Sequence, residues 1–386
     1  MRLQASFYQR KVKQLQAELQ KRGLAGMLLL KPTNIYYLIG FFHIPTERPI
    51  GVFVPAAGEP IAYVPELEVD HIKENWINRV EVYFDYPGET YPVLWICQKL
   101  QNEGISRQPL GFEGSIPWAY KQMIDQALPD VNWVPAGDIL SDMRLVKEKE
   151  ELELLRLCGT YSDYMVSAGV EVIRERGWIS ELEIHQTVMQ RVVQKMLAEL
   201  DEIVFTSGVA MGLVCSGERS ALPHGLPSSR RLQPGDNLIL SFVCSVGGYT
   251  TESERTFFLG EPSTRQASLY ELMRKAQQVG CEALSVGRTC SEANRLALAV
   301  IREAGEGAYI KHRLGHGLGI EGHEPPWLMD GDNSPLRPGM VLSSEPGIYV
   351  PGLGGVRISD TVVVTDGEPE YLTTYSRSLE DMVVNI

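Results

Sequence analysis

A long charged stretch in the middle of the chain, residues 143–177, is the feature that most constrains what this sequence can fold into. Its apolar and charged residues recur with helical spacing, which predicts one amphipathic helix at a boundary between two domains. Before it, apolar runs such as "LAGMLLL" and the hairpin pattern "PIGVFVPAAGEPIAYVP" alternate with helical segments. After it come a second helix and many short, glycine-rich strands. The pattern predicts an α/β domain over residues 1–140 and an α+β domain over residues 141–386.

Charge and composition argue against several classes of partner and location. The 386 residues carry a net charge of −13 and contain no Lys/Arg-rich run, so we expect neither nucleic acid nor an anionic membrane as a partner. The first residues are charged throughout and no apolar run approaches ~18 residues, so we expect neither a signal peptide nor a membrane span. The six cysteines include no CxxC pair, which indicates reduced thiols in a cytoplasmic protein.

The segment "YTTESERTFFLG", residues 249–260, places two carboxylates on one predicted strand. Glu252 and Glu254 are two residues apart, so they face the same side of the strand, whereas Arg255 faces the other side. Two such carboxylates can bind a metal ion, form a cage for a cationic substrate, or lie on a solvated face. The residues of this segment alone leave all three interpretations open.

Further residues that could catalyse a reaction or bind a substrate lie in short segments rich in glycine and proline. They are His224 in "LPHGLP", His316 and His323 in "LGHGLGIEGHEPP", Glu345 in "SSEPG" and Arg357 in "GGVRIS". A histidine can act as acid or base at neutral pH, although a lone loop histidine is more often a surface residue. The arginine can bind a substrate carboxylate or pair with a glutamate.

Several of these segments resemble the creatinase/prolidase family, which includes methionine aminopeptidase, Xaa-Pro aminopeptidase, prolidase and creatinase. The similar segments are "LPHGLPSSRRLQPGD", "GYTTESERTFFLG", "GHGLGIEGHEPP" and "LRPGMVLSSEPGIYVPGLGGVRISDTVVVT", and the resemblance covers residues 145–386. The first domain is similar to the family's N-terminal domain through "GMLLLKPTNIYYLIGF". The resemblance implies a pita-bread fold for the second, catalytic domain.

The resemblance also implies a changed metal site. The family's metallopeptidases bind two divalent metals through Asp, Asp, His, Glu and Glu, and the matching positions here are Ser241, Glu252, His316, Glu345 and Ser359. Serine hydroxyls are neutral, weak ligands, so we expect no two-metal centre. A single divalent ion (Mn, Fe, Co or Zn) on Glu252, His316 and Glu345 is the alternative to a site without metal.

Creatinase is a metal-free member, and its site is similar to this sequence at several positions. Glu254 and Glu345 match its substrate-binding glutamates, and His224 matches its catalytic histidine. Arg48 in "TERPIG" matches an arginine that reaches the site of the neighbouring subunit, which implies a homodimer. Ectoine hydrolase is a second member with degenerate metal ligands. The resemblance therefore favours hydrolysis of a C–N bond without metal.

These observations predict a hydrolase that cleaves an amidine, guanidino or amide C–N bond of a small molecule, with His224 as acid or base and no cofactor. One alternative is a one-metal Xaa-Pro dipeptidase or aminopeptidase. The other is a pita-bread domain that binds without catalysis. We predict catalytic roles for His224, Glu254, Glu345 and His323, and substrate-binding roles for Glu252, His316, Arg357 and Arg48.

Overall fold

The computed structural model describes residues 3–104, 108–203 and 209–386. It divides into two compact units, one comprising the residues up to Arg144 and the other comprising Leu145–Ile386. Within these described ranges, no helix combines the length and the apolar character that a membrane span requires.

The N-terminal unit is an α/β fold built on one sheet. Its strands are β1 (Gly26–Leu29), β2 (Gly51–Pro55), β3 (Ile61–Pro65), β4 (Arg79–Tyr83), β5 (Leu110–Phe112) and β6 (Trp133–Pro135), in the order β4-β3-β2-β1-β5-β6. Its helices are α1 (Ala5–Lys21), α2 (Pro32–Ile39), α3 (Val69–Lys73), α4 (Pro92–Asn102), α5 (Trp118–Ala127) and α6 (Gly137–Leu145). The predicted hairpin is confirmed as the antiparallel pair β2 and β3. The core joins the sheet to α4 and α5 through Leu28, Phe53, Tyr63, Val93, Ile96, Leu110 and Ile124.

The C-terminal unit is an α+β fold around a larger, mostly antiparallel sheet. Its principal strands are β7 (Ala210–Ser216), β8 (Asn237–Val246), β9 (Tyr249–Leu259), β10 (Gly315–Gly317), β11 (Glu324–Leu328) and β12 (Val341–Ser344), followed by β13 (Gly347–Val350), β14 (Gly354–Arg357) and β15 (Ser359–Val363). The order is β11-β10-β12-β15-β9-β8-β7, with β16 (Glu370–Tyr371) on β15 and β17 (Val383–Val384) on β9. Strands β13 and β14 pair separately.

The helices of this unit are α7 (Lys149–Arg176), α8 (Glu181–Glu199), α9 (Thr264–Glu282) and α10 (Cys290–Glu303). The single helix predicted over residues 143–177 is wrong at its start, because α6 ends at Leu145 and α7 begins at Lys149. Glu148 and Glu151 form a capping box there, each side chain accepting from the other residue's backbone N–H. Such a box satisfies free N–H groups of a first helical turn and fixes where the helix begins.

Helix α7 covers one face of the sheet and leaves the opposite face to the polar residues of the site. Gly169 allows close packing, since a Cβ there would lie 2.7 Å from Leu240 Cδ1 of β8. Ser162 Oγ donates to the carbonyl of Thr251 on β9 at 3.1 Å. Because strand side chains alternate, the neighbours of Thr251 along β9 face away from α7.

Candidate functional site

Glu252 and Glu254 of β9 lie on the sheet face away from α7, as their two-residue spacing predicts. Ser253, between them, faces α7 and donates to Asp163 at 2.7 Å. Glu252 is 5% exposed and Glu254 is 4% exposed. The interpretation of these carboxylates as a solvated face is therefore wrong, and their burial requires partners of opposite charge or strong hydrogen bonds.

Glu252, His316 and Glu345 converge from three strands or strand ends onto one point. One ligand atom from each lies within 4.8 Å of the other two. His316 Nε2 of β10 is 3.3 Å from Glu345 Oε1 and 3.9 Å from Glu252 Oε1. The sheet order β10-β12-β15-β9 brings these residues together although they are far apart in sequence.

The donor set of these three residues fits one divalent cation. His316 Nδ1 lies 3.1 Å from the Gly317 carbonyl, which can only accept, so Nδ1 carries a proton, and Nε2, which faces the two carboxylates, is the nitrogen that can lose its proton and bind a cation. This Nε2 is buried and, among the described residues, makes no well-aligned hydrogen bond. One imidazole nitrogen and two carboxylates, with further positions open, are ligands that suit manganese, iron, cobalt or zinc.

A second cation does not fit beside the first. Ser359 Oγ donates to Glu252 Oε1 at 3.2 Å, and Ser343 donates to the same oxygen. Ser241 donates to Glu254 Oε1. These hydroxyls serve as donors to carboxylates and bring no negative charge, whereas paired divalent ions need bridging anionic ligands.

Arg357 supplies a positive charge beside Glu254, the second carboxylate of β9. Its Nε lies 2.7 Å from Glu254 Oε2, in a pair whose side chains are 4% and 5% exposed. Glu254 stands directly opposite Ser241 on β8 and Ser359 on β15. Glu254 thus lies between the two serines, and the Arg357 guanidinium pairs with its carboxylate. The sequence left open whether Arg357 binds substrate or pairs with a glutamate, and the structure shows the pair.

The buried charged groups of the site shift one another's pKa values. Burial alone would lower the pKa of His316, but Glu252 and Glu345 outweigh it and raise that pKa to about 9. Burial would raise the pKa of Glu345, but His316 and Arg357 hold it at about 2. Burial raises the pKa of Glu254 to about 7 against the opposing effect of Arg357. Without a metal ion, His316 and Glu345 therefore form an internal ion pair at neutral pH.

His323 and His224 lie at the accessible side of these buried groups. The His323 ring stacks on His316 with ring centroids 3.7 Å apart. Burial, together with the positive charge of His316, lowers the pKa of His323 to about 4, so it is neutral at pH 7. His224 is exposed on a loop, and its charge contributes to the lowered pKa values of His323 and of His312.

Cationic and polar side chains fix the backbone of the loop that carries His224. Arg357 Nη1 donates to the Pro223 carbonyl at 2.9 Å, and Arg219 Nη2 donates to the Leu226 carbonyl at 2.7 Å. Arg357 therefore connects the buried Glu254 carboxylate with the residue next to His224.

Glu181, at the start of α8, holds both ends of this loop, and the sequence analysis missed it. Its carboxylate is fully buried. Oε1 accepts from the N–H and hydroxyl of Ser216, at 2.8 Å each, and Oε2 accepts from the N–H and hydroxyl of Ser228, at 3.0 and 2.6 Å. In the sequence, Glu181 is indistinguishable from Glu183, which forms the capping box of α8 with Ser180.

Two further arginines have separate positions. Arg255 faces away from the site, as predicted, and its buried guanidinium bonds to the carbonyls of Ser359 and Tyr375 and pairs with Asp360 at 2.8 Å. Arg48 belongs to the N-terminal unit, where its Nε lies 2.6 Å from Asp85 Oδ1. Its contact with the substrate of a neighbouring subunit stays a prediction.

Comparison with known proteins defines the class of this chain. The model of metallopeptidase family M24 matches residues 153–366, and the creatinase/prolidase N-terminal domain matches residues 11–146. An Xaa-Pro dipeptidase of Pyrococcus horikoshii is 32% identical, covering 96% of this chain and 98% of its own. An Xaa-Pro dipeptidase of Lactobacillus delbrueckii subsp. lactis is 32% identical over 96% and 98% of the two chains. The crystal structure of dipeptidase PepE from Mycobacterium ulcerans superposes with a TM-score of 0.87 at 29% identity, covering both chains completely.

The two domains and the charged site define a hydrolase that acts on C–N bonds. The chain belongs to metallopeptidase family M24 and carries the creatinase/prolidase N-terminal domain. The predicted family and fold are confirmed. The predicted absence of a cofactor gains no support, because the family is one of metallopeptidases and the relatives are named as dipeptidases.

Proposed function

We propose that this protein is a dipeptidase of the Xaa-Pro type that works with a single divalent metal ion. The observation that carries the proposal is the convergence of Glu252, His316 and Glu345, with a buried imidazole nitrogen directed at two carboxylates. The Xaa-Pro dipeptidases to which the chain is similar over nearly its whole length supply the substrate class. This is the alternative that the sequence analysis set beside a metal-free reaction.

The residues around the triad have separable tasks in peptide hydrolysis. A divalent ion bound by Glu252, His316 and Glu345 would polarise the scissile carbonyl and lower the pKa of a water molecule. Water oxygen adds to the carbonyl carbon, the C–N bond breaks, and the leaving nitrogen takes up a proton. His224 is accessible and suited to moving that proton. His323 is neutral at pH 7 and can donate a hydrogen bond to the developing oxyanion.

A second candidate is the metal-free hydrolysis of a small amidine, guanidino or amide compound. The observation that favours it is the internal neutralisation of the site, since His316 pairs with Glu345 and Arg357 pairs with Glu254. In this reaction Glu254 and Glu345 would hold the substrate and His224 would act as acid or base.

Elemental analysis of protein purified without chelator tests the two candidates. We expect about one equivalent of manganese, iron, cobalt or zinc per chain, and hydrolysis of Xaa-Pro dipeptides that a chelator abolishes. The His224→Ala variant should keep the metal and lose about 10²–10⁴-fold in kcat. Protein that takes up no metal and cleaves a guanidino compound would establish the second candidate. Two equivalents per chain would contradict both.

The Glu181→Gln variant tests how strongly catalysis depends on the loop of His224. A glutamine amide turns one of the two carboxylate oxygens into a donor that faces the Ser216 or Ser228 donors. We expect kcat to fall by about 10²-fold with little change in KM, because small displacements of an acid/base group cost rates of this size. Amide hydrogen exchange over residues 216–228 should increase in parallel.

Glu113→Gln is the matched control for this variant. Glu113 is a buried carboxylate of the N-terminal unit that accepts from the N–H groups of Leu30 and Lys31 at 2.6 and 2.8 Å. Its substitution should lower the melting temperature without changing kcat. Equal losses of kcat in both variants would mean that Glu181 acts through general stability alone.

A further inference from the structure

Arg313 presents a guanidinium whose outer nitrogens have no protein partner among the described residues. Its Nε donates to the Gly315 carbonyl at 2.9 Å, and its guanidinium carbon lies 4.6 Å from the ring centroid of Trp327. Among the residues that the structure describes, neither Nη1 nor Nη2 makes a hydrogen bond or an ion pair. The indole and the Nε hydrogen bond hold the guanidinium in place. The side chain is only half-buried, so the N–H donors of the two outer nitrogens remain available.

This guanidinium lies beside the triad. Trp327 on β11 stands directly opposite His316 on β10, and residues directly opposite on antiparallel strands project to the same face of the sheet. Gly315, which accepts the Nε bond, immediately precedes His316. The free donors of Arg313 therefore lie at the margin of the face that holds the site residues.

Two other cationic side chains, Arg357 and Lys147, are already engaged. Arg357 is buried and paired with Glu254. Lys147 is buried and paired with Glu324 at 2.9 Å. Both are therefore unsuited to an incoming anion, because a new partner would have to displace a buried ion pair.

We propose that Arg313 and Trp327 form the subsite that binds the free α-carboxylate of the substrate, a proposal that rests on the dipeptidase function above. The two Nη donors match the two oxygens of a carboxylate, and such bidentate pairs fix orientation as well as charge. The indole, which holds the guanidinium plane, also offers an apolar surface to the ring of a C-terminal proline. The subsite selects substrates in which a free carboxylate directly follows the scissile amide.

Kinetics on paired substrates test this assignment. The substrates are an Xaa-Pro dipeptide with a free carboxylate and the same dipeptide as its C-terminal amide. We expect the wild-type protein to favour the acid over the amide by at least about tenfold in kcat/KM. Arg313→Met, which keeps an apolar stem on Trp327, should raise KM for the acid by a similar factor and leave the amide unchanged. Arg313→Lys should recover part of the preference.

The controls separate this subsite from the proposed function. Arg295→Met removes an arginine of α10 whose Nε likewise donates to a carbonyl, that of Ser291 at 3.3 Å. It should change kcat/KM for neither the acid nor the amide. The metal content of Arg313→Met should equal that of the wild type. Equal losses for acid and amide would reduce Arg313 to a structural residue and overturn the subsite.

A binding measurement covers the case in which the protein cleaves no dipeptide. Calorimetric titration of the purified protein with N-acetylproline and with N-acetylproline amide reports carboxylate recognition without turnover. Binding of the acid that is lost in Arg313→Met sustains the subsite even where the dipeptidase function fails. Absence of binding to the wild type, or equal binding to both proteins, overturns it.

Discussion

Replacing Glu345 with alanine is expected to abolish metal binding and to lower kcat/KM for dipeptides by at least about 10³-fold. Two effects combine in this variant. The proposed metal site loses one of its three ligands, and His316 loses the carboxylate that lies 3.3 Å from its Nε2. Loss of an outer-shell partner alone commonly costs 10–100-fold in metal affinity or activity, and a direct ligand costs more. Metal content by mass spectrometry and kcat/KM on the same preparation provide the measurement.

Glu368→Ala is the control for that experiment, since Glu368 is an exposed carboxylate of the same unit. It should retain full metal content and activity. Should Glu345→Ala keep one equivalent of metal, the ion would be held by other residues. Should the wild type hold no metal and Glu345→Ala still lose activity, the glutamate would act on the substrate directly, as in the metal-free candidate.

Several features of the site follow from sequence alone because they depend on local geometry. The two-residue spacing of Glu252 and Glu254 fixes their common face in any regular strand, and it turns Arg255 to the other side. The combination of Glu252 with His316 and Glu345, however, came from the resemblance of whole segments to a family. No periodicity within this chain relates three residues on separate strands.

The remaining features depend on strand pairing that local patterns do not encode. Glu254 lies between Ser241 and Ser359 because β9 pairs with β8 on one side and with β15 on the other. Arg357, at the end of β14, pairs with this carboxylate, whereas the sequence left the arginine two options. The sequence did not single out Arg313, because Trp327 comes close to it only through the pairing of β10 and β11. Long-range pairing therefore sets the electrostatics of the site.

The pairing of Arg357 with Glu254 leads to the largest expected effect on stability. Arg357→Met should lower the free energy of unfolding by about 1–2 kcal/mol at pH 8, because the buried carboxylate loses its counterion and has to take up a proton about one pH unit above its pKa in the paired site. The comparison is made on chelator-treated protein by denaturant unfolding, so that bound metal does not contribute. The double variant Arg357→Met/Glu254→Gln should recover much of the loss, since replacing both members of a buried pair leaves no uncompensated charge.

The sign of the pH dependence distinguishes this cause from lost packing. Burial raises the pKa of Glu254 to about 7 from an ordinary value of 4.5, and removing Arg357 removes an interaction that lowers it, so the pKa rises further in the variant. A carboxyl group whose folded pKa is raised costs stability increasingly as pH rises from the unfolded pKa to the folded pKa, and the cost is constant above the folded pKa. The deficit of Arg357→Met relative to the wild type should thus be absent near pH 5, appear as pH rises through about 7 and grow at pH 8 and above. A deficit that is constant with pH, or a double variant no more stable than the single one, would show that Arg357 stabilises the unit through its contacts with Tyr349 and the Pro223 carbonyl instead.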